Sequence, residues 1–271
     1  MNIEDYFIKG FKNSHIGDDG AVIGEYIYSK DAFFENVHFK RSWMSLYQIA
    51  YKSMIVNISD AIAMNAKPLY ALLAVAMPKL SLKELDELTC GFKDAAKKFN
   101  IEIIGGDTIA NCKLDISVTI VSKSKKPLLR RGLKPNHLLA YSGVLGNSKK
   151  DLKKLLYGGK IHKQSKFVNS TLRDKFVYDI ASVLSCAMDI SDGLFSDLNK
   201  LSKVNSIGFN FHNVIPKRVG CSGEEYEMLF GFDGRFRKKV LRIAQKNRVK
   251  VSVFATAKRK KYQNSCKANH F

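Results

Sequence analysis

Between Ser45 and Met64 the apolar residues Leu46, Ile49, Ala50, Met54 and Ala61 recur at the three-and-four spacing of an α-helix, with Ser42 or Ser45 as N-cap. Tyr70 to Met77 is continuously apolar and stops at Pro78, which predicts a buried strand. Ser81 followed by Glu84 has the spacing of a capping box and opens a second helix running to about Phe99. Ile101 to Ile104 then reads as a short strand that delivers Gly105, Gly106 and Asp107 at its end. Leu114 to Ser122 alternates as a further strand.

The later half repeats the pattern more loosely. Helical spacing is seen in Asn147 to Tyr157, Leu172 to Leu184, Gly193 to Val204 and Phe236 to Asn247, and strands in Gly208 to His212 and Val249 to Ala255. Strands interleaved with helices indicate an α/β chain. The 271 residues favour two domains, 1–125 and 126–271, although no low-complexity linker marks the boundary.

Composition narrows the function classes. Residues 1–10 mix Asn, Glu, Asp and Lys and lack the apolar core of a signal peptide. No apolar run reaches the roughly 20 residues of a membrane span, so a soluble cytoplasmic enzyme is expected. The five cysteines (Cys90, Cys112, Cys186, Cys221, Cys266) are odd in number, scattered and without C-x-x-C spacing, which fits a reducing compartment and disfavours zinc. The net charge of +20, from 45 Lys plus Arg against 25 Asp plus Glu, raises a nucleic-acid-binding alternative. Dispersal of the basic residues disfavours it, apart from local runs at Lys123 to Lys126 and Lys258 to Lys261.

Against that cationic background, four acidic motifs stand out: Gly17-Asp18-Asp19-Gly20, Asn57-Ile58-Ser59-Asp60, Gly105-Gly106-Asp107-Thr108 and Asp189-Ile190-Ser191-Asp192-Gly193. Carboxylates on several loops suit magnesium, which takes hard oxygen ligands and shares them with substrate phosphates. Phosphoryl transfer needs such a site, because catalysis there is mostly positioning and charge stabilisation. Asp60 falls within an apolar helix, where an unpaired carboxylate is costly to bury. Asp189 and Asp192 precede a helix whose N-terminus favours phosphate, and one helix cap does not account for both. Asp197 reads as solvated surface. Ser222 to Glu227 packs three carboxylates near a turn, either a solvated helix start or part of a site. The absence of G-x-x-x-x-G-K-[ST] disfavours a P-loop kinase.

Taken in order, Gly17-Asp18-Asp19, Glu35-Asn36-Val37-His38-Phe39, Asn57 to Met64, Gly105 to Thr108, Asp189 to Leu194 and Gly223 to Glu227 resemble the thiamine-monophosphate kinases. These kinases fall within the superfamily named for aminoimidazole ribonucleotide synthetase. The resemblance implies ATP-dependent phosphorylation of thiamine monophosphate to thiamine diphosphate by direct in-line transfer, without a phosphoenzyme. It implies a two-domain fold in which the N-terminal sheet pairs across a homodimer and the C-terminal half is an α/β layer. Several Mg2+ ions would be held by Asp19, Asp31, Asp60, Asp107, Asp189 and Asp192 with Ser29 assisting. ATP would meet Gly106, Asp107, Arg130 and Ser191. Thiamine monophosphate would meet His38, Glu224 and Phe271 of the Asn269-His270-Phe271 ending. Asp107 and Asp192 would carry catalysis. Another ATP-using enzyme of the superfamily with a different substrate is the alternative within the class.

The chain departs from the family pattern at several positions. Lys30 stands beside Asp31 where a small hydroxyl residue is usual, and its ammonium is expected to stand in for one metal. Glu225 replaces an aspartate, Asn65 a glycine, and Asn147 an aspartate after Gly146. The later half is shorter than usual and lacks a proline-containing basic segment before Leu172.

Overall fold

Two five-stranded sheets share one long buried helix, and that helix positions the acidic residues. A computed structural model describes residues 3–11 and 13–266. A short helix α1 (Ile3–Lys9) precedes β1 (Ala21–Ile23) and β2 (Tyr26–Phe34). Helix α2 (Leu46–Ala63), β3 (Lys67–Met77), α3 (Leu82–Phe99), β4 (Glu102–Ala110) and β5 (Asp115–Lys123) complete the first layer. Its sheet runs β1-β2-β5-β3-β4, with β3 and β4 parallel and the other pairs antiparallel.

The second sheet uses β6 (Leu138–Ser142), β7 (Leu184–Asp189), β8 (Gly208–Phe211), β9 (Met228–Phe232) and β10 (Val251–Lys258), in the order β7-β9-β6-β10-β8 and antiparallel throughout. Helices α4 (Asn147–Leu156), α5 (Asp174–Ile180), α6 (Leu194–Asn205), α7 (Lys217–Gly220) and α8 (Arg237–Lys246) lie between these strands in sequence. No helix among the described residues is long and apolar enough to cross a membrane.

The start of α2 follows from local chemistry. Ser45 caps it with its hydroxyl on the Gln48 amide, while the Gln48 side chain returns to the Ser45 amide; Ser81 and Glu84 do the same for α3. Buried residues surround α2, among them Ile49, Ala50, Lys52, Met54, Ile55, Asn57 and Ile58, so it is a core helix rather than a surface one. One continuous core joins α2 and the first sheet to Phe167, Phe176, Val177, Ile180, Phe230 and Phe232 beneath the second sheet.

Several expectations change in the structure. Gly105 to Thr108 lie inside β4, not at a strand end. A register shift between Ala71 and Leu72 lets the glycines continue the pairing with β3. Asp31 sits in the middle of β2. The helix expected over Leu172 to Leu184 is α5 followed by a 3-10 turn at Ala181–Val183, and Leu184 already begins β7. The cysteine reading is corrected too, because Cys221 and Cys266 form a disulfide across 45 residues, a separation that local spacing does not reveal.

Helices α2 and α3 approach closely at Gly91, where a β-carbon would lie 2.3 Å from the Tyr47 carbonyl oxygen and 2.8 Å from the Ala50 β-carbon. Gly91→Ala is therefore expected to destabilise the protein by about 1–3 kcal/mol through overpacking. A thermal melt unchanged from wild type would show that the two helices separate without cost.

Candidate active site

Three carboxylates from three separate elements converge. Asp19 follows the Gly17 turn, Asp60 occupies the last turn of α2, and Asp189 ends β7; one oxygen from each lies within 4.8 Å of the others. Three ionised carboxylates at that spacing repel by roughly 3 kcal/mol per pair at an effective dielectric near 20. Burial, and then the neighbouring carboxylates Asp31, Asp189 and Asp19, hold Asp60 well above the usual carboxylate range. Burial and then Asp19 and Asp197 do the same to Asp189, against the Ser59 hydroxyl that donates to it at 2.8 Å. Burial also raises Asp31, which exchanges a hydrogen bond with Asp60.

The group is arranged to receive a cation. Arg130 donates through Nε at 3.1 Å and through Nη2 to Oδ1 of Asp19, and its backbone amide donates to Asp18 at 2.6 Å. The opposite oxygen, Asp19 Oδ2, is buried with no hydrogen-bond partner. A buried carboxylate oxygen left unpaired beside two further carboxylates fits a hard, oxygen-seeking ion such as Mg2+.

Next to this group, α6 begins immediately after Asp192. Lys200 places its ammonium 2.7 Å from Asp192 Oδ2 and 3.0 Å from Asp197 Oδ1. Asp197 is 0% exposed, and burial pushes it up to about 6 even with Lys200 opposing. It is not the solvated surface residue expected from sequence. It follows Leu194 by three positions and shares a stripe with Leu198 and Leu201, so helical phase could have revealed its burial.

On the far side of Asp192 lies a cavity of about 280 Å³ lined by Val37, His38, Ser191, Asp192, Gly223 and Glu224. His38 Nδ1 accepts from the Phe34 amide at 3.0 Å, so the neutral ring carries its proton on Nε2. Glu224 is held by Lys52, whose ammonium lies 2.8 Å from Oε2 and 3.9 Å from the centre of the Phe167 ring. Lys52 is 0% exposed and had no role in the sequence reading. Its signal was a charged residue three positions after Ile49 inside an apolar helix. Glu225 and Glu227 are buried on Lys166 and Arg173, which excludes a solvated helix start at this turn. Glu225 Oε1 also accepts the Gly146 amide at 2.7 Å and the Ser222 hydroxyl at 2.6 Å, tying the start of α4 to this loop.

The structure thus gathers Asp19, Asp31, Asp60, Asp189, Asp192 and Arg130 into one charged network, and His38, Ser191 and Glu224 into the adjoining cavity. Other expected residues lie elsewhere. Asp107 and Gly106 are on the exposed edge strand β4, lining a cavity against α3, and Asp107 is outside the three-carboxylate group. Ser29 directs its hydroxyl to Asn57, at 2.6 Å from Oδ1. Lys30 does not stand in for a metal. Strand alternation turns it away from Asp31, to Ser117 at 2.9 Å and Thr119 at 3.4 Å. Phe271 lies outside the described residues.

Residues 17–123 match the family described as AIR synthase related protein, N-terminal domain. The thiamine-monophosphate kinase of Bacillus subtilis (strain 168) is 30% identical over 233 residues, covering 74% of this chain and 70% of that one. That of Buchnera aphidicola subsp. Schizaphis graminum is 30% identical over 264 residues, covering 86% and 81%. The structure of AaThiL complexed with AMPPCP and TMP superposes with a TM-score of 0.85 at 23% identity, over 96% of this chain and 91% of that one. Hydrogenase maturation protein HypE in complex with ATP shares the fold at a TM-score of 0.71 and 15% identity, over 94% and 85%.

The raised carboxylates imply a definite pH dependence. Each binds its proton more tightly in the folded state than in the unfolded chain, so stability is lost as pH rises from the unfolded value towards the folded one. For Asp197 that window runs from 3.8 to about 6, a loss on the order of 3 kcal/mol. Without divalent ions the contribution of this network to the melting temperature is expected to fall across that window. Mg2+ is expected to restore it most at the upper end, where the carboxylates are ionised. Asp60→Asn should flatten the pH slope, and melts showing the same slope in variant and wild type would refute this account.

Proposed function

The chain belongs to the thiamine-monophosphate kinase family, and on that premise we propose that it converts thiamine monophosphate to thiamine diphosphate by direct in-line transfer of the ATP γ-phosphate, assisted by Mg2+. It is a thiamine-phosphate kinase, a phosphotransferase with a phosphate acceptor. The observation that carries the mechanism is the junction at Asp192, which belongs both to the carboxylate network and to the cavity of His38 and Glu224.

Asp19, Asp60 and Asp189, with Asp31 and Asp192 beside them, would hold the ions, which neutralise charge on the transferring phosphoryl group when bound. Arg130, paired with Asp19, is placed to turn its remaining donors towards nucleotide phosphate. Glu224 accepts from a donor on the thiamine heterocycle through Oε1, since Lys52 occupies Oε2. His38 offers its Nε2 proton to the same ligand. Ser191 and the Gly106-Asp107 edge would contact ATP, with Asp107 and Asp192 carrying catalysis and Phe271, outside the described residues, contacting thiamine monophosphate. The functional division falls at 1–125 and 126–271. Homodimerisation through the first sheet is supported by its exposed apolar residues Tyr28, Phe34, Tyr70, Leu72, Ile104 and Ile109, a concentration that single surface residues do not account for.

The test is an ATP and Mg2+ assay that follows thiamine diphosphate by thiochrome fluorescence, with free thiamine as control acceptor. Product from the monophosphate alone is expected, and Asp107→Asn should lower turnover by at least ~100-fold, as loss of a charge-stabilising group does. Wild-type turnover in that variant would remove Asp107 from catalysis. No product from folded protein that still binds Mg-ATP would move the chain to another substrate on the same fold.

Lys52→Met and Glu224→Gln should each raise KM for thiamine monophosphate about tenfold, the worth of a charged hydrogen bond, and leave KM for ATP unchanged. The double variant should be little worse than either single one, because both remove the same interaction. Additive effects would show that Lys52 acts independently of Glu224.

A further inference from the structure

The ammonium that sequence placed at Lys30 is supplied to the acidic network by Lys200. It lies 2.7 Å from Asp192 and 3.0 Å from Asp197, one helical turn after Asp197 on α6, so the helix itself sets the second distance. Asp197 is fully buried, and its Oδ1 meets the Lys200 ammonium while its Oδ2 has no hydrogen-bond partner. Its charge is met by Lys200 and, at longer range, by Arg130. Burial pushes the Lys200 ammonium towards neutrality, but Asp197 and Asp192 outweigh it and hold the proton more tightly than in free lysine. Lys200 also opposes the charge of Asp31, so its field reaches across the network.

The charges around it show why this matters. Asp19, Asp31, Asp60, Asp189, Asp192 and Asp197 face two cationic side chains, Arg130 and Lys200. Without Lys200, the Asp192 and Asp197 carboxylates would form a second oxygen-rich pocket beside the one made by Asp19, Asp60 and Asp189. A pair of carboxylates bridged by one cation suits a divalent ion as well as an ammonium, but not both in the same gap, since magnesium takes its oxygens at about 2.0–2.1 Å.

We propose that Lys200 is a built-in counter-cation which occupies, between Asp192 and Asp197, a position that a divalent ion would otherwise take. The inference rests on the reading of the network as a metal site. It makes the number of bound ions a property of this helix, with Lys200 held on Asp192 Oδ2.

Manganese bound per chain is counted by electron paramagnetic resonance on the full-length protein, saturated with the non-hydrolysable analogue AMPPCP. Lys200→Gln and Lys200→Met, two neutral replacements of different polarity, are expected to bind one more ion than wild type. Lys200→Arg, which keeps the charge, is expected to match wild type. Equal counts in wild type and a folded neutral variant would overturn the role of Lys200 and leave the metal reading standing. Wild-type protein that binds no manganese under these conditions would overturn the metal reading and this inference together.

Discussion

Mutual repulsion among buried carboxylates is the constraint on which the rest of the molecule depends. Asp60 and Asp189 sit against Asp19, and burial together with the neighbouring carboxylates holds both well above the usual carboxylate range. A fold selected for stability alone would replace such a group with apolar side chains, because ion clusters of this kind seldom repay their desolvation. Retaining it is intelligible if charge must arrive from outside, on metal and nucleotide. Arg130 and Lys200 are the cations paired within this network, with Asp19 and with Asp192 and Asp197 respectively, and they offset part of the repulsion.

Helix α2 is how one continuous core delivers that group. It is buried on all sides between the two sheets, and its polar residues are the ones that touch function. Lys52 pairs with Glu224, Asn57 locks Ser29 and β5, Ser59 donates to Asp189, and Asp60 joins the three-carboxylate group. A shift of this helix would disturb both cavities together. The close approach at Gly91 and the cap at Ser45 therefore bear on geometry well beyond α2 and α3.

Local rules made much of the fold legible. Capping serines and the three-and-four spacing placed α2 and α3 to within a residue, because caps and core stripes are encoded in neighbouring positions. Strands β6, β7 and β9 went unread, since short strands inside a second sheet owe their identity to partners distant in sequence. The acidic residues of the site were legible as types, and Asp60 stood out because a carboxylate inside an apolar helix demands a reason. Lys30 misled through adjacency: next to Asp31 in sequence, it points to the opposite face of β2. Lys52 was overlooked for the converse reason, as a charged residue at a buried phase of a helix whose role appears only when another element supplies its partner, Glu224.

Substrate identity resides at a finer level than any of this. AaThiL complexed with AMPPCP and TMP and the hydrogenase maturation protein HypE both superpose on the chain, so the fold by itself does not specify a substrate. The small cavity beyond Asp192 is where the proposed reading puts that discrimination: its lining includes His38, whose Nδ1 accepts from the Phe34 amide, and Glu224, whose Oε2 is paired with Lys52. On that reading, a ligand lacking the complementary donor would desolvate Glu224 Oε1 without replacing its hydrogen bond, which rejects more strongly than a missing apolar contact does. On the proposed reading, selectivity would depend on Lys52 and the Phe34 amide as well as on the residues that touch the substrate, since they orient Glu224 and His38.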